Sequence, residues 1–440
     1  MRKRIQKNDI AFLKKEITKI TPKTTDYLLR FNIINGLKHA AKNSPYYRSL
    51  LQPILKELSF KNCKTIFRKI PFTTQEMVKE HPEQFLAVPR EKIAALDFTY
   101  GSTGHRKVIY NSPWDLTAII NSYVLGFINC GLTEKEVVQI VYSFGIWGVA
   151  NNILHATLKL GFLALPTGNY LSFQEQKEFI EKFGTTAILG TPSYIYNLAK
   201  EITLTPESKK KIKVIMMGGE GLPKHRRKVI EESLGGEIFL NYGLNELGGG
   251  IGSECKEHAG YHIFPNFLFE IVNPQTGEPV PDGEFGELVI TTLKREAMPL
   301  IRYRTGDITR VLPEPCACGL PLPRIDYLKG RVDDRIVIGS AEKYYPSHFD
   351  EVLDPLEEVK DYWIEVTEED GRDTLNVYIL TNNGSGELEE KVIQKLLTIK
   401  SLKIDIEQTK TVNTPNIVFV SKAPPSAKRR RLVDKRKKGR

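Results

Sequence analysis

Val214-Ile215-Met216-Met217-Gly218-Gly219-Glu220-Gly221, followed by Ile238-Phe239-Leu240-Asn241-Tyr242-Gly243-Leu244-Asn245-Glu246, is the stretch on which the fold turns. Each segment is a short, unbroken apolar run that ends in glycine and polar residues. Such runs mark strands buried on both faces, as in parallel sheets, because alternation arises only where one face meets water. Between them, Lys224 to Leu234 reads as an amphipathic crossover helix. The pattern recurs upstream: Val137 to Phe144, Leu160 to Leu165 and Thr186 to Gly190 read as strands, and Phe173 to Phe183 as a helix. The fold class is therefore α/β, a mainly parallel sheet covered by helices. Ligand sites in such sheets open at the carboxyl ends of the strands.

Outward from this core the periodicity changes twice. From Thr24 to Asn43 apolar residues recur at three- and four-residue spacing until Pro45 ends the run, so the first ninety residues read as packing helices. Beyond about residue 260, Phe267 to Val272 and Glu287 to Thr292 flank a Pro- and Gly-rich turn, which predicts a small antiparallel β layer. A boundary falls near Gly330, giving an N-terminal domain over 1–329 and a C-terminal domain over 330–440. The latter has its own α+β pattern: helices at Glu351 to Val359 and Leu388 to Leu397, strands at Trp363 to Val366, Thr374 to Leu380 and from Phe419.

The net charge of +10 is concentrated at one end. Residues 422–440 carry ten Lys and Arg against Asp434, so the body is nearly neutral and offers no basic groove. That argues against nucleic acid as a partner and lets the tail be read as a solvated end. Five cysteines, three of them clustered as Cys255, Cys316 and Cys318, suit a reducing compartment better than a disulfide framework. Charged Lys7 and Asp9 stand where a signal peptide needs an apolar run, and no apolar stretch is long enough to span a membrane. The reading is a cytoplasmic protein without a membrane partner; the oligomeric state stays open.

Chemistry is suggested by a series of turns. Thr99-Tyr100-Gly101-Ser102-Thr103-Gly104-His105-Arg106-Lys107 lies between strand-like segments and offers glycines, hydroxyls and N–H groups that can wrap phosphate oxygens. It is not a Walker A loop, which needs four residues between its glycines, then Lys-Ser/Thr and a helix. Then come the Gly218-Gly219-Glu220 turn, Asn241 to Glu246, Tyr303-Arg304-Thr305-Gly306-Asp307, Gly330-Arg331-Val332-Asp333-Asp334, and Lys428 near the end. In this order they resemble the adenylate-forming superfamily of acyl- and aryl-CoA synthetases. Pro45-Tyr46-Tyr47-Arg48, Pro71-Phe72-Thr73-Thr74, Gly190-Thr191-Pro192-Ser193-Tyr194 and the run Glu296 to Asp307 narrow the likeness to the phenylacetate-CoA ligase family, along nearly the whole chain.

The resemblance implies a large αβα adenylation domain and a small C-terminal lid domain carrying the catalytic lysine. Ser102, Thr103 and Gly104 would hold the ATP phosphates. Gly218, Gly219, Glu220, Asn241, Tyr242 and Gly243 would form the adenine slot, and Glu246 with Thr103 would hold Mg²⁺. Asp307 would bind the ribose, supported by Arg331, and Lys428 would stabilise charge during adenylation. The acid pocket would lie by Tyr142, Ser143, Phe144, Gly145 and Trp147. Two departures stand out: His105 replaces the family's Lys, leaving basic groups at Arg106 and Lys107, and Ala341 replaces a Gly near the expected pantetheine path.

Cys255, Cys316, Cys318 and either His262 or His258 offer sulfur and nitrogen donors that suit a structural Zn²⁺, and His262 matches the family position. The implied function is ATP-dependent activation of an aromatic or short acyl carboxylic acid as acyl-AMP, then transfer to coenzyme A. Ala341 motivates an amine or carrier protein as the alternative acceptor. His105 and the basic tail motivate a non-catalytic binding protein on a ligase fold.

Overall fold

The apolar runs of the sequence become neighbouring strands of one sheet. The structure is a computed structural model that describes residues 22–99, 106–133, 135–340, 342–422 and 431–436. Ser102, Thr103, Gly104, His105, Ala341 and Lys428 lie outside the described residues. Two compact units divide the chain: one takes the residues up to Glu220, Ile230–Thr305 and Thr309–Tyr327, the other Gly221–Val229, Gly306–Ile308 and the residues from Leu328.

The first unit opens with helices α1 (Pro22–Asn43) and α2 (Pro45–Glu57). Pro45 does end the first run, and it also starts the next helix at its first turn, where its missing N–H costs nothing, behind a Ser44 cap. A hairpin of β1 (Ala95–Thr99) and β2 (Lys107–Asn111) follows, with Thr99 opposite Lys107. Then come α3 (Pro113–Asn129), β3 (Val137–Ile140), α4 (Gly148–Lys159), β4 (Leu163–Leu165), α5 (Phe173–Phe183), β5 (Ala187–Gly190), α6 (Pro192–Glu201), β6 (Val214–Gly218), α7 (Lys224–Leu234) and β7 (Glu237–Leu244). Strands β4, β3, β5, β6 and β7 lie side by side in that order, all parallel. The sheet then turns antiparallel through β8 (Gly249–Ser253) and β9 (Tyr261–Ile263).

The strand expected over 137–144 stops at Ile140, and helices α3, α4 and α6 lie outside the crossover helices the sequence predicts. Of these, α4 has the least local signal. Its start lacks a side-chain cap, and Gly148 is its first residue. A Cβ there would come within 2.5 Å of the Asp97 carboxylate, which therefore packs against the positive end of the helix. Helices α3 and α4 bury Phe127 and Ile153 against Val138, Ile140, Leu189, Met216 and Phe239 of the sheet. Burial of each such side chain is worth roughly 1.5–3 kcal/mol.

The expected antiparallel layer is present as β10 (Phe267–Val272) and β11 (Gly286–Thr292), with Phe267 opposite Thr292. After it, β12 (Tyr303–Thr309) leads to β13 (Val311–Leu312) and β14 (Arg324–Ile325), which close the edge of the large sheet beside β9. Asp115 serves twice here. Its carboxylate completes the capping box of α3 with Ser112 and also accepts from the N–H groups of Glu296 and Ala297, which fixes the entry to β12.

In the second unit β15 (Gly330–Arg331) pairs with β12 at Ile308 and Asp307. A second core follows, built from β16 (Ile336–Ile338), β17 (Glu342–Tyr344), α8 (Pro346–Leu353), β18 (Asp361–Glu369), β19 (Arg372–Leu380), α9 (Gly386–Leu396), α10 (Lys400–Glu407), β20 (Asn416–Val420) and β21 (Leu432–Asp434). The hairpin of β18 and β19 gains β20 and β21 as parallel flanks. The basic tail is accordingly not a uniformly solvated end. Arg431 bonds Asp350, lies 3.5 Å from Asp361 and covers the Tyr362 ring, while Arg436 bonds Asp373 and Asp434. Among the described residues no helix is long and apolar enough to cross a membrane.

Candidate active site

The glycines at the end of β6 leave backbone bare where a side chain would obstruct it. A Cβ on Gly218 would meet the Asn241 carbonyl of the next strand at 2.9 Å, so the two strands approach closely. Gly219 takes φ +90°, a left-handed conformation that favours glycine, and opens onto space. Glu220 is turned aside: its carboxylate accepts from the N–H and Oγ of Ser193, both at 2.9 Å, at the start of α6. At the end of β7 the register shifts between Tyr242 and Gly243, and Gly243 runs against the Gly249 backbone of β8. Tyr242 is buried, its ring 6.0 Å from that of Tyr261.

Glu246 sits in the turn just beyond β7 and is buried. Lys107 donates to its Oε1 at 2.6 Å and to Gln75 Oε1 at 2.9 Å, and lies 3.5 Å from the Tyr303 hydroxyl. Its neighbour Asn245 donates to the Phe98 carbonyl at 3.0 Å. Both strands of the hairpin are thus tied to the segment after β7. In the sequence Lys107 stands only as a displaced basic group. The signal was in β2 itself, where strand alternation puts Lys107 on the same inward face as Ile109 and Asn111.

Asp307 of the second unit is buried, and it faces Arg331 across the β12–β15 pair with Arg331 Nε 3.8 Å from its Oδ1. The preceding arginines are committed elsewhere: Arg302 to Glu270 and the face of Phe72, Arg304 to Glu287.

Beyond β3 the chain presents Tyr142, Phe144, Ile146 and Trp147. The Tyr142 hydroxyl donates to the Gly218 carbonyl at 3.4 Å, and burial pushes its pKa up, so it stays a neutral donor. Tyr170 bonds the Phe144 carbonyl and Ser143 Oγ yet leaves two thirds of its surface exposed.

A second cluster lies on β9 and the flanking loops. One donor atom from each of Cys255, His262, Cys316 and Cys318 falls within 4.8 Å of all the others. Cys255 Sγ is 3.7 Å from Cys316 Sγ, and Cys318 Sγ is 3.4 Å from His262 Nε2. Tetrahedral Zn²⁺ with bonds of about 2.3 Å to sulfur and about 2.0 Å to nitrogen sets edges of about 3.8 and 3.5 Å, so the donor set fits this ion. Burial pushes the Cys255 thiol up to about 12 and raises Cys318. At Cys316 burial acts the same way, but hydrogen bonds from Cys318 and Cys255 hold it below its ordinary value. Three thiols this close cannot all ionise without a cation between them. His262 is lowered to about 4, by burial and then by Arg324, which keeps its ring neutral as a ligand must be. His258 stands apart, with its ring nitrogens at Glu237 and Glu254.

The family model described as AMP-binding enzyme matches residues 35–293, which include the glycine-lined ends of β6 and β7. The phenylacetate-coenzyme A ligase of Thermus thermophilus is 31% identical over 415 residues, 89% of this chain and 92% of that one. The enzyme of the same name from Escherichia coli is 31% identical over 352 residues, 78% of this chain and 79% of its own. The chain belongs to the phenylacetate-coenzyme A ligase family. In fold it is similar to 2-hydroxyisobutyryl-CoA ligase in the postadenylation state with 2-HIB-AMP, at a TM-score of 0.78 and 21% identity, over 92% of this chain and 88% of that one. ATP-bound MatB from Rhodopseudomonas palustris gives a TM-score of 0.59 at 16% identity, over 79% and 68% of the two chains.

Proposed function

We propose that this protein activates a planar aromatic acid of the phenylacetate type with ATP and transfers the acyl group to coenzyme A. The observation that carries the reading is the 31% identity to a phenylacetate-coenzyme A ligase across 89% of the chain. In the first half-reaction a carboxylate oxygen attacks the α-phosphorus, the bond to the bridging oxygen breaks, and pyrophosphate leaves. In the second the thiol sulfur of coenzyme A attacks the acyl carbon, its proton is lost, and AMP departs. Neither step asks the protein for covalent chemistry, so catalysis is positioning and charge.

Each site residue has a role in this proposal. Ser102, Thr103 and Gly104 hold the phosphates; Gly218, Gly219, Glu220, Asn241, Tyr242 and Gly243 take the adenine; Asp307 accepts from the ribose hydroxyls with Arg331 beside it. Glu246 and Thr103 hold Mg²⁺, an ion that binds through one or two carboxylates plus substrate phosphates and would offset phosphate charge there. Lys428 neutralises charge as the α-phosphorus is attacked. Residues 330–440 act as a mobile domain that presents Lys428 for the first half-reaction and withdraws it for the second. Cys255, His262, Cys316 and Cys318 hold a structural Zn²⁺: every donor comes from the chain, which leaves no open position for a substrate. Tyr142, Phe144 and Trp147 line the acid pocket, and the aromatic surface supports a planar substrate. A cytoplasmic site of action accords with five free thiols.

The test is pyrophosphate release on a panel of carboxylic acids, with and without coenzyme A. Phenylacetate or a close analogue should lead the panel and yield a thioester. Acid-dependent release without thioester would select an amine or carrier-protein acceptor, and no release with any acid would favour a non-catalytic role. If Trp147→Ala left the ranking of acids unchanged, the pocket assignment would be wrong.

A further inference from the structure

The carboxylate assigned to the metal already has a cation on it. Lys107 and Glu246 are each about nine-tenths buried, and the ammonium lies 2.6 Å from Oε1 with Gln75 Oε1 at 2.9 Å and the Tyr303 hydroxyl at 3.5 Å. A metal ion and an ammonium need the same carboxylate charge, and a single carboxylate is a poor site for Mg²⁺, which demands six oxygens in octahedral array. Driving Lys107 off Glu246 without compensation would strand a buried cation, a severe cost. ATP removes both obstacles together, since its phosphates supply the missing oxygens and a new partner for the ammonium. In sequence Lys107 follows closely on Ser102, Thr103 and Gly104, assigned to those phosphates, and it opens β2 opposite Thr99.

We infer that Lys107 is a placeholder for the metal ion at Glu246: it neutralises the carboxylate in the nucleotide-free protein and yields it only when the metal arrives with ATP. This rests on the reading of Glu246 as a metal ligand. Lys107 is thereby a positioning residue that couples metal entry to nucleotide entry. Divalent metal alone binds this site weakly, and the nucleotide-free site is kept from being filled by a stray cation.

The test uses Mn²⁺ alone, titrated into the full-length, nucleotide-free protein with free Mn²⁺ followed by its electron paramagnetic resonance signal. Lys107→Met should bind one Mn²⁺ at least about tenfold more tightly than the wild type, because it removes the competing ammonium. Lys107→Arg, which keeps the charge, should stay near the wild type. Adding Glu246→Gln to Lys107→Met should cancel the gain. Lys107→Gln serves as the second neutral variant if Lys107→Met does not fold. Equal Mn²⁺ affinity in the wild type and a folded neutral variant overturns the inference, as does a gain that survives Glu246→Gln. The assay contains no acid and no coenzyme A. Failure of the ligase reading, seen as no pyrophosphate release with any acid, is therefore recorded separately.

Discussion

Two places in the first unit are arranged around positive charge, and they are built in opposite ways. At Cys255, His262, Cys316 and Cys318 soft donors converge, each supplied by the chain, and burial alone would keep most of the thiols protonated. At Glu246 one hard carboxylate is already paired with the chain's own ammonium, Lys107. The first arrangement would gain its charge balance from a metal. The second is balanced without one and, on the inference above, would have to be disturbed before a metal could enter. In the proposed function the complete donor set would serve folding, and the incomplete, self-neutralised one would serve a substrate that brings its own ligands.

The sharpest way to break that contrast is to remove the charge assigned in the proposed function to the reaction alone. Lys428→Ala should slow adenylation by about 10³ or more, roughly 4 kcal/mol of transition-state stabilisation. Turnover of a supplied acyl adenylate and the melting temperature should change little. Equal loss in both half-reactions, measured separately, contradicts the role assigned to Lys428.

The opposite signature is expected at the thiol cluster. Cys316→Ser with Cys318→Ser should abolish zinc in metal analysis of protein purified without chelator. Loss of the site should lower the melting temperature by about 3–5 °C, the shift that roughly 2–3 kcal/mol produces in a domain of this size. Adenylation by the protein that remains folded at 25 °C should persist. If zinc removal instead stopped adenylation with the melting temperature unchanged, the two places would have exchanged roles.

The smallest effect is expected at Asp307. Asp307→Ala removes acceptors that serve ground and transition state alike, so the KM for ATP should rise about tenfold while kcat falls less. An unchanged ATP affinity refutes the ribose role.

The sequence made the parallel strands legible because runs such as Val214 to Met217 are apolar throughout and the chain between them has helical spacing. It made the hairpin of Phe267 to Val272 legible through the Pro and Gly of its turn. Helix α4 escaped because its start has no capping side chain, only the buried Asp97 carboxylate supplied from β1. In the first unit the order of motifs pointed to Gly218 at the end of β6, Asn241 within β7 and Glu246 just beyond it; in the second it pointed to Asp307 within β12. The engagement of Glu220 with Ser193 and of Lys107 with Glu246 did not show, because each joins segments far apart in the chain. The tail misled in the same way: Arg431 looks like its basic neighbours until Asp350, Asp361 and Tyr362 are brought to it by folding.

The central claim, ligation through an acyl adenylate, is tested most directly by rapid-quench analysis of the full-length enzyme with ATP and phenylacetate. Without coenzyme A a burst of about one pyrophosphate per active site should appear and then stall, with acyl adenylate retained on the enzyme. Adding coenzyme A should restart turnover and yield AMP and thioester in equal amounts. Release of ADP and phosphate, or no burst with phenylacetate or any other acid of the panel, would contradict it.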